Sequence, residues 1–171
     1  MQNKRGISQA FAPVAVPQLQ IRPATVFDVF DMSRVLISSI RDLCKADHDG
    51  DAARIAEWTA DKSPERIRTW IEGPGRYWLA ELGGAVAGVG GLNSKGAISL
   101  LYVAPEVAGQ GAGTALLAHL ESELLKSGCS EGRLNATGTA LEFYQANGWQ
   151  RDGAPVNFCG TPCLPMHKHL D

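Results

Sequence analysis

The stretch Leu100–Leu117 constrains this chain more than any other. An apolar run, Leu100-Leu101-Tyr102-Val103-Ala104, ends at Pro105. Glycines then fall at alternate positions, Gly109, Gly111 and Gly113. Beyond them Leu116, Leu117, Leu120, Leu124 and Leu125 share one stripe at helical spacing. Strand, glycine loop and helix start together build an anion site. The first amides of a helix lack intrahelical partners and point outward, and the helix dipole adds partial positive charge there. Glycine permits positive φ and close approach of a phosphate. A pyrophosphate is therefore expected on the amides of Gly109, Gln110, Gly111, Ala112, Gly113 and Thr114. A tight turn that merely feeds a helix is the competing reading of the same glycines. Two other phosphate loops do not fit. No Gly-Lys-Ser/Thr is present, which excludes the ATPase P-loop, and the glycine spacing is wrong for a dinucleotide fingerprint.

The 171 residues suit one domain with a core of its own. A formal net charge of −2 argues against nucleic acid as the main partner. No apolar run reaches the roughly eighteen residues of a membrane span. Residues 1–18 read as a flexible lead-in, with Lys4 and Arg5 ahead of an apolar segment broken by Pro13 and Pro17. Four cysteines, Cys44, Cys129, Cys159 and Cys163, do not resemble a secreted disulfide framework. A cytoplasmic protein with no membrane contact is expected.

Gln18–Arg22 alternates polar and apolar and reads as a first strand, ended by Pro23. Thr25 or Asp28 is placed to cap a helix carrying Val29, Val35, Leu36 and Ile40. Lys45–Asp51 reads as a loop. Helices are expected over Asp51–Thr59 and, after the Ser63-Pro64 start, up to Gly73. Tyr77–Leu82, Ala85–Leu92 and Ala97–Val103 form an antiparallel meander, with Gly83-Gly84 as a hairpin turn. The glycine-loop helix is expected over Gly111–Ser127. Arg133–Asn135 reads as a short strand, most simply placed parallel to the one before the helix. A helix over Gly138–Ala146 follows, ended by Asn147-Gly148. Trp149–Arg151 and Val156–His169 read as two final strands. This order implies an α+β domain with a mixed sheet.

Two motifs now carry a resemblance. One is Leu101-Tyr102-Val103-Ala104-Pro105 followed by Gly109-Gln110-Gly111-Ala112-Gly113-Thr114-Ala115-Leu116-Leu117. The other is Ala140-Leu141-Glu142-Phe143-Tyr144-Gln145-Ala146-Asn147-Gly148-Trp149, with Pro165–Leu170 as a closing strand. In this order and separation, the chain resembles the GNAT superfamily of N-acetyltransferases over residues 19–170. The resemblance implies a mixed, mostly antiparallel central sheet with helices on both faces, and an acyl-CoA N-acyltransferase domain over residues 19–171. It implies acetyl-CoA as acyl donor, no metal, and a small-molecule or peptide amine as acceptor. A homodimer is compatible with it. The pyrophosphate would lie on the amides from Gly109 to Thr114. The backbone of Leu101 and Val103, flanking Tyr102, would pair with the pantetheine arm like an added strand. The Leu101 amide would hold the oxyanion. Two positions depart from the family pattern. Ala108 stands where the family's loop usually has Gln or Arg, and Thr137 stands where the second motif usually has Asn, with Asn135 nearby.

Acyl transfer to an amine needs a deprotonated amine, a held oxyanion and a proton for the departing thiolate. The resemblance assigns the last role to Tyr144, whose phenol is protonated at neutral pH. For the base, the candidates are His48, Glu57, Asp47 and Asp49, or a water chain. Trp58 and Trp70 are candidate walls for the acceptor, beside their use in the core. Ser99 lies where some relatives carry an acid. Cys159, Cys163, His167 and His169 have the residue types of a zinc site but not its spacing, so no metal is expected. The alternative to an enzyme is an acyl-CoA sensor with the fold and no turnover.

Overall fold

The computed structural model describes residues 15–171; most of the lead-in expected over residues 1–18 lies outside that range. Two sheets make up the domain. The first is an antiparallel meander in the order β1 (Leu19–Pro23), β2 (Arg76–Leu82), β3 (Ala85–Leu92), β4 (Ile98–Val103). The second has β8 (Thr161–His169) at its centre, flanked by β5 (Glu131–Ala136) and β6 (Gln150–Arg151), with β7 (Val156–Phe158) also paired to β8.

Helices cover both faces. Thr25 and Asp28 form a capping box on a short 3-10 turn that leads into α1 (Val29–Leu43). Val29, Met32, Val35, Leu36 and Ile40 fall on one stripe of α1 and are buried. With Ile67 of α4 (Pro64–Ile71) the first four pack on Leu79, Val86 and Val89 of the first sheet, while Ile40 packs with Cys44 and Trp58. Asp51 caps α3 (Ala52–Thr59), and Ser63 caps α4 ahead of Pro64. On the opposite face α5 (Ala112–Lys126) buries Leu116, Leu117, Leu120 and Leu124. Burial of that size contributes roughly 1.5–3 kcal/mol per leucine. Gly88 and Gly90 of β3 let α5 approach closely: a Cβ on Gly88 would meet Leu116 Cδ1 at 2.8 Å.

Three local expectations are corrected. Lys45–Asp51 is not a plain loop, because Lys45–His48 forms a single helical turn, α2, closed by Asp49 in the left-handed region (φ 51°). Val156–His169 is not one strand. Cys159 (φ 50°) and Gly160 (φ 71°) both take positive φ, and the chain folds back there as the β7–β8 hairpin. The strand over Arg133–Asn135 extends to Glu131–Ala136, and its ladder partner is β8 rather than β4.

Candidate active site

The pairing of β5 with β8 creates the site. Among the described residues no ladder joins β4 to β5, so the two sheets part along a seam between them. The register of β4 shows which backbone groups face that seam. The Ala104 amide donates to the Ala87 carbonyl (2.8 Å), and Val103 lies opposite Gly88, Tyr102 opposite Val89 and Leu101 opposite Gly90. Backbone groups alternate sides along a strand. Tyr102, two residues before Ala104, therefore directs its N–H and C=O toward β3. Leu101 and Val103 direct theirs into the seam. The ladder slips between Gly91 and Leu92, opposite Leu100 and Ile98, so Ser99 is the extra residue of a bulge.

At the end of β4 the chain makes a 3-10 turn over Pro105–Val107 and enters the glycine loop. Gly109 (φ 79°) and Gly111 (φ 91°) take left-handed backbone that other residues resist. Gly111 is the N-cap of α5 and supplies no side chain to its first amides. The Ala115 amide bonds back to the Gly111 carbonyl, which leaves the preceding amides of Ala112, Gly113 and Thr114 outside the helix's own ladder. Gly113 differs from the other two glycines. Its φ is ordinary, and a Cβ there would meet Val103 Cγ1 at 3.5 Å and Phe143 Cζ at 3.7 Å. Ala108 is exposed, and its amide donates to the Pro105 carbonyl.

A cavity of about 210 Å³ lies along the seam. Leu101, Tyr102, Val103, Gly113, Asn135 and Tyr144 all line it, together with Ser99, Thr137, Thr139 and Phe143. Tyr144 stands on α6 (Leu141–Ala146), 6% exposed, edge-on to Phe143 and Trp149. Burial raises its phenol above the ordinary tyrosine value, with Tyr102 adding to the effect. The group is thus protonated throughout the neutral range. Burial also raises Tyr102, opposed by the bond its Oη accepts from Trp58 Nε1 (3.3 Å).

A second cavity of about 410 Å³ adjoins the first. Ile98, Ser99, Tyr102, Leu134, Asn135 and Thr137 line both. None of the glycine-loop residues lines the second; its other walls include Trp58, Arg133, Asp152, Phe158 and Cys163. Trp58 is thus at once core, 1% exposed, and wall. Glu57 is exposed on α3, facing the β7–β8 turn, where a Cβ on Gly160 would lie 3.6 Å from its Oε2.

His48 is 1% exposed and has no free ring nitrogen. The Gly50 amide donates to Nδ1 (3.0 Å), so Nε2 carries the proton and donates to the Ile40 carbonyl (2.9 Å). This ring ties α2 to α1 and presents nothing to a substrate. Asp47 is engaged too. It accepts from the Thr139 amide (3.3 Å) and hydroxyl, and so bridges α2 to the loop before α6. Cys44 and Cys163 are buried, and burial pushes the Cys44 thiol up to about 12. Among the described residues no group of three His, Cys, Asp or Glu side chains is arranged to hold a metal.

Ser39, Cys44, Arg133 and Asp152 line these cavities without having been singled out for the site in the sequence. Arg133 had a signal: alternate burial along β5 puts Glu131, Arg133 and Asn135 on its exposed face. Asp152 had none, since it reaches the site only through the β6 connection to β8.

Residues 44–170 match the family model of the acetyltransferase (GNAT) domain. No curated protein matches the chain in sequence. Among solved structures, the chain is similar to the GCN5-related N-acetyltransferase named aminotransferase, class-II, from Rhodopseudomonas palustris. The two are 24% identical over 94% of this chain and 100% of that one, with a TM-score of 0.80. The PaiA N-acetyltransferase of Thermoplasma acidophilum, solved with coenzyme A, is 21% identical over 89% and 99% of the two chains, with a TM-score of 0.74. YncA, a putative acetyltransferase of Salmonella typhimurium solved with acetyl-CoA, is 19% identical over 90% and 95%, with a TM-score of 0.68. With a family model matched over most of its length, the chain belongs to the GNAT acetyltransferase family.

Proposed function

We propose that the protein transfers an acetyl group from acetyl-CoA to a primary amine of a small molecule or peptide by direct attack on the thioester. The observation that carries this reading is the pair of seam-facing peptide units at Leu101 and Val103, in one cavity with Gly113 and Tyr144. An extended pantetheine arm carries amides that match those units as a further strand would. Its pyrophosphate then reaches the free amides at the start of α5, with Gly109, Gly111, Ala112 and Thr114 forming the cradle, while the Gln110 amide donates to the Val107 carbonyl (3.2 Å) and shapes the loop. Asn135 lines the opposite wall of the seam, on β5.

The chemistry follows from what each group can do. The amine nitrogen attacks the thioester carbonyl carbon, and the carbonyl oxygen gains charge that the Leu101 N–H stabilises. The C–S bond then breaks. The departing thiolate takes the proton of the Tyr144 phenol, and the proton released by the attacking amine passes through water to restore the phenol. Burial keeps the phenol protonated, which suits an acid. His48 takes no part in this reading, because both ring nitrogens are engaged. Trp58 stays on the acceptor side as a wall of the second cavity, whereas Glu57 lines neither cavity.

The test is calorimetric titration with acetyl-CoA, followed by thiol release in the presence of an amine panel. Saturable binding and amine-dependent thiol release are expected. Binding without thiol release would make the protein a sensor; absence of binding would remove both readings. Tyr144→Phe is expected to lower kcat by about 10²-fold with acetyl-CoA affinity nearly unchanged. Unchanged kcat would end the acid role.

A further inference from the structure

The second cavity carries information about the acceptor, given the reading of the first as the donor site. Its wall is aromatic and apolar on one side. Trp58 and Tyr102 lie in it, and Phe158 at its edge is 50% exposed, which leaves a large ring uncovered at the cavity's edge. Among the described residues, the charged side chains lining this cavity are Arg133 and Asp152. The Arg133 guanidinium is already shared between two carboxylates: Nη2 meets Glu131 at 2.5 Å and Nη1 meets Asp152 at 3.2 Å. The lining therefore offers no cation free to meet a carboxylate brought in by a substrate. A carboxylate placed at this half-exposed edge, where the Arg133 and Asp152 side chains are 65% and 46% exposed, would face Asp152 and compete with it for one guanidinium, a cost that an uncharged isostere avoids.

We propose that this cavity selects an amine acceptor with an aromatic or branched apolar body and no carboxylate beside its amine. Phe158 covers the body, and Asp152 sets the discrimination by occupying Arg133.

The test compares 2-phenylethylamine with L-phenylalanine, which share an amine and a benzyl body and differ by the carboxylate. With acetyl-CoA saturating, kcat/KM is expected to favour 2-phenylethylamine by at least about tenfold, the discrimination that one poorly accommodated group readily provides. Asp152→Asn frees one side of Arg133 and is expected to narrow that ratio severalfold. A merely structural role for Asp152 would lower both rates and leave the ratio intact. Phe158→Ala is expected to raise KM for 2-phenylethylamine severalfold while KM for acetyl-CoA stays the same. Preference for phenylalanine, a ratio untouched by Asp152→Asn, or turnover of neither amine by protein that binds acetyl-CoA overturns the proposal. Absence of acetyl-CoA binding overturns the donor-site reading itself, and the calorimetric titration distinguishes the two failures.

Discussion

Single residues in this chain take their roles from the partners that surround them, and Asp28 is the clearest case. Its carboxylate accepts from both terminal nitrogens of Arg22 (2.9 and 2.8 Å) and from the Thr25 amide (2.7 Å) and hydroxyl (2.9 Å). Arg22 in turn donates to Glu81 on β2 (2.9 Å), so one capping box ties β1, β2 and the entry to α1. The Arg22 bonds, reinforced by Thr25 and opposed by burial, hold the Asp28 carboxyl at about 2. A carboxyl whose folded value lies below its unfolded one stabilises the fold above the unfolded value, near pH 4. That stabilisation is lost as pH falls through the folded value. The contribution is on the order of 2 kcal/mol. Asp28→Asn is therefore expected to lower denaturant stability by a nearly constant amount from pH 7 down to 4, with the gap to the parent closing between pH 4 and 2. A gap as large at pH 2 as at pH 7 would show that the charge contributes nothing. The sequence displayed Thr25 and Asp28 as rival caps; the structure uses both, one as cap and one as its reciprocal partner.

At the scale of elements, strand periodicity and glycine punctuation were legible where local chemistry decides the outcome. The meander, the Gly83-Gly84 turn, the α5 entry and the Ser63-Pro64 start all follow from residues within a few positions. Misreadings fall where distant partners decide. Gly160 and Pro162 signal a turn ahead of the last strand, but the fold-back also recruits Cys159, a residue that seldom takes positive φ, and pairs β7 with β8. His48 looked like a candidate base because an isolated imidazole in a polar segment does; its two bonds arise only when α2 docks on α1. The three loop glycines looked equivalent in sequence and are not. Gly111→Ala forces a Cβ into left-handed backbone and is expected to cost roughly 1–2 kcal/mol, visible as a lowered Tm. Gly113→Ala meets only ordinary contacts and gains helix propensity of up to about 1 kcal/mol, so Tm is expected to hold or rise. Because Gly113 lines the cavity between Val103 and Phe143, that same methyl is expected to weaken acetyl-CoA binding several-fold, measured by calorimetry. If both variants lowered Tm alike and left binding alone, the glycine loop would be a turn and not a cradle.

Across the whole molecule, one core joins the two sheets and one seam divides them. The core that contains Leu116, Leu117, Leu120 and Leu124 of α5 runs from Trp78 and Ala80 of the first sheet to Leu134, Ala136 and Met166 of the second. The α5 face is therefore continuous where the β4–β5 edge is not. An extended ligand in the seam would supply the hydrogen bonds that β5 does not give to β4, and its mark would alternate along the strand. Tyr102 directs its amide to β3 and should exchange slowly with or without ligand. Leu101 and Val103 direct theirs into the seam, so saturating acetyl-CoA is expected to slow their exchange by at least about tenfold, as ligand-linked closing of local openings does. Residue-resolved amide exchange by NMR measures this pattern directly. Equal slowing at Leu101, Tyr102 and Val103 would mean that the ligand only stabilises the fold as a whole. No slowing at Leu101 and Val103 would mean that the thioester arm lies elsewhere, and the Leu101 amide would lose its place beside the oxyanion.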